Sequence, residues 1–326
     1  MAEANDGLIV IGENINTTRR IRATSKNIVQ EDGKVGWAYT DLDGSKRMLD
    51  ITDIYPEDPK EVATARIGHI GQGVRKQDIE FLRWAIKSQE AAGATIIDLC
   101  VDELSVYPEE RHDYMRWIVK TAQAISDVSY AIDSSDPQTI MAGLEVYDRS
   151  KGRPAINSVS LEEGRDVLIQ VGKDENCWVF ANGSGTDGMP QDDKERVAHL
   201  TGCMELMDKA GLPMEDRFLD PLVFPVGAGP QYGRDFLEAV KTLRENFPDV
   251  HIFGGLSNVS FGLPRRKLLN HAFITLSIVN GCDAIMIDPL MNPAHEYKEF
   301  LIAADVMTAT DEYGLNYLSY IRAQAA

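Results

Sequence analysis

The fold this sequence predicts is an α/β barrel of the (β/α)8 TIM type, with one long insertion after the first strand. Three observations carry that expectation. Eight short, continuously apolar runs are spread along the chain, as strands buried on both faces of a parallel sheet require. They alternate with helix-period patterns, and eight repeats suggest closure of the sheet into a barrel. Each run stops at or near an acidic or amide residue, on the rim where barrels of this kind build their sites.

The elements follow in order. The first strand is Leu8-Ile9-Val10-Ile11, closing on Gly12-Glu13-Asn14-Ile15-Asn16. A polar, turn-rich stretch over about 17–73 breaks the pattern. Within it, Asp43-Gly44 lies between two β-type runs, 37–40 and 47–51, which is a hairpin signal. This hairpin reads equally as a lid or docking surface beside the site and as a decoration that shields one end or pairs with a second subunit. Regularity returns at 77–92, where Ile79, Leu82, Ala85, Ile86 and Gln89 share a helical face that stops at Gly93.

Beyond it, strands are expected at 95–100 with Asp98, at 129–132 ending on Asp133, and at 154–156 ending on Asn157. The series continues at 177–181 before Asn182, 217–219 before Asp220-Pro221, 250–253 before Gly254-Gly255, and 283–287 before Asp288. The intervening helices are expected at 109–125, 137–146, 161–171, 192–210, 236–246 and 264–280. The last of these starts at Leu263-Pro264, since proline is favoured at a first helical position.

The composition bounds the function. The chain of 326 residues is expected to form one barrel domain, 1–326, and no apolar run approaches a membrane span of ~20 residues. Its acidic start, 1–6, is unlike a signal peptide, so a cytoplasmic protein is expected. A formal net charge of −18 argues against nucleic acid, which needs clustered Lys and Arg. The four cysteines lack a Cys-x-x-Cys pair, and the six histidines lack metal spacing, so no metal site is expected. The run Gly183-Ser184-Gly185-Thr186-Asp187-Gly188 matches a dinucleotide fingerprint in letters only. Met189-Pro190 separates it from the next helix, so it reads as a rim segment.

Glu13, Asn16, Asp98, Asp133, Asn157, Asn182, Asp220, Asn258 and Asp288 thus converge on one rim. Any one of them could be a helix cap, because Asp and Asn are favoured there. Capping alone does not explain so many at one end of a sheet. After the seventh strand, Gly254 and Gly255 suit a backbone that passes close to a flat ligand, and Ser257 and Asn258 are then displayed at the strand mouth.

Five motifs in this order, Gly12-Glu13-Asn14-Ile15-Asn16, Ile132-Asp133-Ser134-Ser135, Ile156-Asn157-Ser158, Leu219-Asp220-Pro221 and Gly255-Leu256-Ser257-Asn258-Val259-Ser260, resemble those of the pterin-binding methyltransferases. That family includes the methyltetrahydrofolate:corrinoid protein methyltransferases and the folate module of cobalamin-dependent methionine synthase. The resemblance covers the chain from Leu8 to the last helix, apart from the insertion.

It implies that Asp133 and Asp220 accept hydrogen bonds from the amino-pyrimidinone edge of a pterin, that Asn157 contacts the same ring system, and that Arg266 faces the ligand's polar edge or glutamate tail. Glu13, Asn16, Asp98, Gly255 and Ser257 complete the expected substrate site. Asn258 is the expected catalytic residue, donating a hydrogen bond to N5, directly or through a water, as the methyl group departs. The substrate would be methyltetrahydrofolate or tetrahydrofolate. The methyl acceptor or donor would be cobalamin carried by a separate corrinoid protein, because the chain has no Asp-x-His-x-x-Gly motif.

The direction is open, and the reverse reaction would make the chain the tetrahydrofolate-methylating component of a corrinoid-dependent demethylase system. A homodimer is also expected. The alternatives are a dihydropteroate synthase-like enzyme, a folate-binding protein without catalysis, and an unrelated barrel lyase with a divalent metal on Glu13 and the rim aspartates. Dihydropteroate synthase is disfavoured because its Ser- and Gly-rich pyrophosphate loop does not appear near Asn16. Two features depart from the family pattern. Asp98 is followed two residues later by Cys100 where an Asn is usual, and the insertion is unlike the compact members that use a corrinoid/iron-sulfur protein.

Overall fold

A computed structural model describes residues 7–324 of the chain; the acidic start at 1–6 lies outside the described residues. The barrel strands are β1 (Ile9–Asn16), β2 (Ile96–Cys100), β3 (Ser129–Asp133), β4 (Ala155–Val159), β5 (Trp178–Asn182), β6 (Arg217–Asp220), β7 (His251–Ile252) and β8 (Ala284–Ile287). They pair in parallel from β7 back to β2, then to β1 and β8. The seam between β7 and β8 is bridged as well. There the Asp283 N–H donates to the Ile252 carbonyl at 3.2 Å and the Met286 N–H to the Gly254 carbonyl at 3.2 Å. An eight-stranded parallel sheet closed in this way is the barrel the sequence predicts.

Two apolar layers hold it. Inside the barrel, Ile11, Ile96, Ala131, Ala155, Phe180, Phe218, Phe253 and Ala284 form their own buried cluster. Phe180 stacks at 4.8 Å on Phe218 and at 4.9 Å on Phe253, and the small alanines on the other strands leave room for these rings. Large and small side chains thus fill the interior as a packed core rather than a channel. Outside, the sheet is covered by α1 (Ile79–Ala91), α2 (Pro108–Ile125), α3 (Pro137–Glu145), α4 (Val167–Asp174), α5 (Asp193–Ala210), α6 (Tyr232–Asn246), α7 (Arg266–Val279) and α8 (Ala294–Met307). No helix among the described residues is long and apolar enough to cross a membrane.

The helix caps separate two roles that the sequence left entangled. Asp78, Asp136 and Asp192 accept from backbone N–H groups in the first turns of α1, α3 and α5. Asp133, Asn157 and Asn258 cap no helix. They are rim residues and remain available to a ligand.

Two expected helix starts and the reading of the insertion are corrected. The helix placed at 161–171 is α4, starting at Val167, because Gly164 (φ +81°) and the preceding acidic pair form a turn. The helix placed at Leu263-Pro264 starts at Arg266, after Gly262 and Arg265 take left-handed backbone. The insertion holds more order than expected. The hairpin Lys34–Thr40 with Lys46–Asp50 is present, with Trp37 opposite Leu49. A third strand, Ile28–Glu31, joins it through a turn at Asp32-Gly33, where both residues have positive φ. The insertion ends in a buried helical turn, His69–Arg75.

The hairpin packs on α1. The Trp84 indole N–H donates to the Thr40 carbonyl at 2.9 Å, and Trp37, Tyr39, Phe81 and Trp84 form one aromatic cluster. Burial of such rings fixes the insertion against the barrel beside the carboxyl rim.

Candidate active site

At the carboxyl end of the strands lies a partly open cavity of about 510 Å3. Eight of the ten residues expected at the site line it: Glu13, Asn16, Asp98, Asp133, Gly255, Ser257, Asn258 and Arg266. Asn157 and Asp220 are outside its wall. Asn157 stands beside Asp133 in register and donates its amide to Asp98 Oδ1 at 2.9 Å. Asp220 pairs in register with Asn182 at the end of β6 and accepts from the Leu222 N–H at 2.8 Å.

Burial dominates the acid–base state of the site. It pushes Asp133 up to about 7, reinforced by the charge of Asp102. It raises Asp98 well above the carboxylate range, with Asp133 as the next cause. Burial and the like charge of Asp133 thus both favour the protonated form of Asp98. Burial also pushes Asp220 up to about 7, against the bond from the Leu222 N–H and the charge of Arg196. Glu13 is raised by burial against the pull of Arg19 and a hydrogen bond from Ser257.

Asp288 goes the other way. Burial opposes its ionisation, but Arg19 at 2.7 Å and the Asn14 amide at 2.9 Å hold it below the usual range. Arg19 also reaches Glu13 at 3.4 Å. This arginine opens the insertion, and the reading of the sequence missed it. Its signal was the pair Arg19-Arg20 placed directly after the rim residue Asn16. Thr18, Arg20, Phe261, Asn270, Met286 and Met291 complete the wall and were missed too.

The segment after β7 is a tight 3-10 turn, Leu256–Ser260, not an open loop. A methyl group at Gly255 would lie 2.9 Å from Asn258 Nδ2, so glycine is what permits the Asn258 amide to fold back over the strand end. Arg266 is fixed from below: it donates to the Ser257 carbonyl at 2.8 Å and to Ser260 Oγ at 3.0 Å, and stacks over Phe261 at 4.5 Å. Two of its five donors are used in this way, and others remain to meet a ligand. Across the mouth, buried Arg165 ties the turn after β3 to the end of β4 through the carbonyls of Ser134 (3.1 Å), Ser135 (2.6 Å) and Ser158 (3.1 Å). The Gly183–Gly188 run is a rim loop ahead of α5, with no helix inside it.

The rim thus presents buried carboxyls, amides and an arginine around one open cavity, a donor and acceptor set that suits a polar heterocycle. Comparison with known proteins gives this class its family. The model of the pterin binding enzymes matches residues 70–288. The methylcorrinoid:tetrahydrofolate methyltransferase of Eubacterium limosum is 30% identical over 256 residues, 78% of this chain and 91% of that protein. The chain belongs to the pterin-binding enzymes and is a methyltransferase of that family.

Among solved structures, the DHPS of Yersinia pestis with a pterine-sulfa conjugate has a similar fold, with a TM-score of 0.52 at 18% identity. That match covers 65% of this chain and 82% of the other. The dihydropteroate synthase of Stenotrophomonas maltophilia with bound imidazole gives a TM-score of 0.54 at 15% identity, over 68% and 87% of the two chains. At these identities the likeness concerns the barrel alone.

Proposed function

We propose that the chain moves a methyl group between N5 of tetrahydrofolate and the cobalt of a corrinoid carried by a separate protein. The observation that carries this reading is the juxtaposition of Asn258 with the carboxyl pair Asp98–Asp133 around one open cavity. Likeness to a methylcorrinoid:tetrahydrofolate methyltransferase supports it and favours the direction that methylates tetrahydrofolate. In that setting the chain is the folate-side component of a corrinoid-dependent demethylase system.

Asp133 accepts from the N–H donors of the pterin edge at the cavity wall, and Asp220 and Asn157, which lie outside that wall in β6 and β4, are expected to turn toward the same ring when it binds. A donor-rich edge holds the two carboxyls ionised, so each is an acceptor made strong by its desolvated setting. In the folate-demethylating direction the N5–carbon bond breaks and a cobalt–carbon bond forms with the electron pair of cobalt(I). N5 gains a proton in return.

Asn258 donates a hydrogen bond to N5, and that bond strengthens as the nitrogen becomes basic, which stabilises the transition state more than the bound substrate. The open mouth of the cavity suits a reaction in which a broad corrinoid face must press onto the rim. The test is a spectrophotometric assay with methyltetrahydrofolate and free cob(I)alamin, where methylcobalamin is expected to form. Absence of transfer, with condensation of p-aminobenzoate and a pterin pyrophosphate instead, would overturn the reading in favour of synthase chemistry.

A further inference from the structure

Beside the active-site cavity the insertion builds two more concavities that the proposed reaction does not use. The first is a small chamber of about 110 Å3 that shares Arg19 and Asp288 with the main cavity. Two buried polar atoms in its lining residues have no hydrogen-bond partner, Asn14 Oδ1 and His69 Nδ1. Asn14 is 8% exposed and His69 is 7% exposed, so both lack solvent as well. Groups of this kind are normally satisfied, and an acceptor with no protein donor beside a chamber can receive an N–H from a ligand. The chamber shares Trp37, Trp84 and Leu290 with the second concavity, an open groove of about 480 Å3 on the insertion.

This groove combines two chemistries. Trp37, Tyr39 and Trp84 give it aromatic walls, and Lys26 and Lys46 stand at its sides. In a protein of net charge −18, most nearby cations have carboxylate partners: Lys34 meets Asp50, Lys76 meets Asp50 and Asp53, and Arg47 meets Asp41. Among the described residues, Lys46 donates only to the Thr40 hydroxyl and Lys26 makes no ion pair. Two cations without counter-ions beside stacked aromatic rings match an anionic ligand that carries an aromatic ring and amide N–H groups.

We propose that the insertion is a second substrate subsite, in which the chamber and groove take the aminobenzoyl-glutamate tail of the folate and its further γ-linked glutamates. The inference rests on the proposed pteridine substrate and names the form of it that the enzyme prefers. The pterin occupies the rim cavity, the aromatic walls stack on the tail, and the glutamate carboxylates meet Lys26 and Lys46. The insertion therefore selects folates with several glutamates over those with one.

The experiment measures affinity by calorimetry for three probes: tail-free 6-methyltetrahydropterin, tetrahydrofolate with one glutamate, and tetrahydrofolate with three. The wild-type chain is expected to bind the triglutamate tightest. The surface double variant Lys26→Ala/Lys46→Ala is expected to lose about three- to tenfold for the triglutamate, with the tail-free pterin unchanged, since exposed charge pairs are each worth a few-fold. The preference is also expected to shrink with added salt.

Equal wild-type affinity for one and three glutamates, with the tail-free pterin bound, overturns the subsite and leaves the pterin site intact. Failure of all three probes would instead overturn the substrate reading itself. An unchanged glutamate preference in the double variant, with a slower rate on a corrinoid protein alone, would overturn the subsite and assign the groove to that partner.

Discussion

Pteridine binding is expected to depend steeply on pH, and the slope counts the carboxyls that the ligand uses. Burial places both Asp133 and Asp220 at about 7 in the free protein. A pterin edge that donates to a carboxylate binds only the ionised form, so the complex lowers these values and binding releases protons. Affinity is then level above pH 7 and falls as pH drops through the free-protein value. At about pH 5 a group titrating near 7 is ionised in roughly 1% of molecules, and the apparent affinity falls by that fraction, about 100-fold. Two such carboxyls give about 10,000-fold, or roughly 5.5 kcal/mol.

Asp98 is not counted among the acceptors, because burial and the charge of Asp133 both favour its protonated form. Calorimetry with a tail-free tetrahydropterin avoids titration of the glutamate carboxyls, and buffers of different ionisation enthalpy count the protons released. Asp133→Asn and Asp220→Asn are each expected to bind about 1–3 kcal/mol more weakly at about pH 8 and to show one proton fewer in the slope. Wild-type affinity that stays level from about pH 5 to pH 8 would refute the assignment of both carboxylates. A slope unchanged by Asp220→Asn alone would return that residue to its local bond with the Leu222 N–H.

Asn258→Ala is expected to lower single-turnover methyl transfer at saturating methyltetrahydrofolate by about 2.7–4 kcal/mol, the loss typical of a preorganised donor, whereas an unchanged rate would limit Asn258 to holding the ligand. Gly255→Ala is expected to reduce the same rate while leaving the circular dichroism spectrum intact, because the new methyl would lie 2.9 Å from Asn258 Nδ2 and displace the amide. Without ligand, Asp220→Asn is expected to raise the melting temperature at about pH 8 and to leave it nearly unchanged at about pH 4. A carboxyl raised by burial costs stability only where it must ionise, and a shift of about three units sets a ceiling of roughly 4 kcal/mol.

How far the site was legible depended on whether a residue's position follows from chain period alone. Asp98 lies within β2, Asp133 ends β3 and Asn258 sits in the turn that follows β7, and strand period plus barrel closure is sufficient to bring them to one mouth. Arg19 was marked only by its nearness to Asn16, since its place depends on how an irregular insertion turns back over the rim, and no period governs that path. The strand Ile28–Glu31 was hidden for a related reason. Its pairing is set by the Asp32-Gly33 turn, but its faces are half-exposed and carry no strong alternation. The start of α7 was misplaced because Pro264 suits a first helical turn, while the left-handed Arg265 that follows decides where the helix begins.

The missed arginine changes how the charge of the site must be understood. Glu13, Asp98, Asp133 and Asp288 surround one cavity in a chain of net charge −18, an arrangement that repels itself if all four ionise. The protein resolves this unequally. Arg19 neutralises Asp288 and opposes the rise of Glu13, burial and Asp133 favour the protonated form of Asp98, and burial pushes Asp133 up to about 7. The cation that makes the first of these possible comes from the insertion and not from the barrel. The insertion is thus an electrostatic part of the active site as well as its neighbour. Removing Arg19 would leave Asp288 and Glu13 with Arg266 as their remaining counter-charge in the cavity, and would favour proton uptake by one of them.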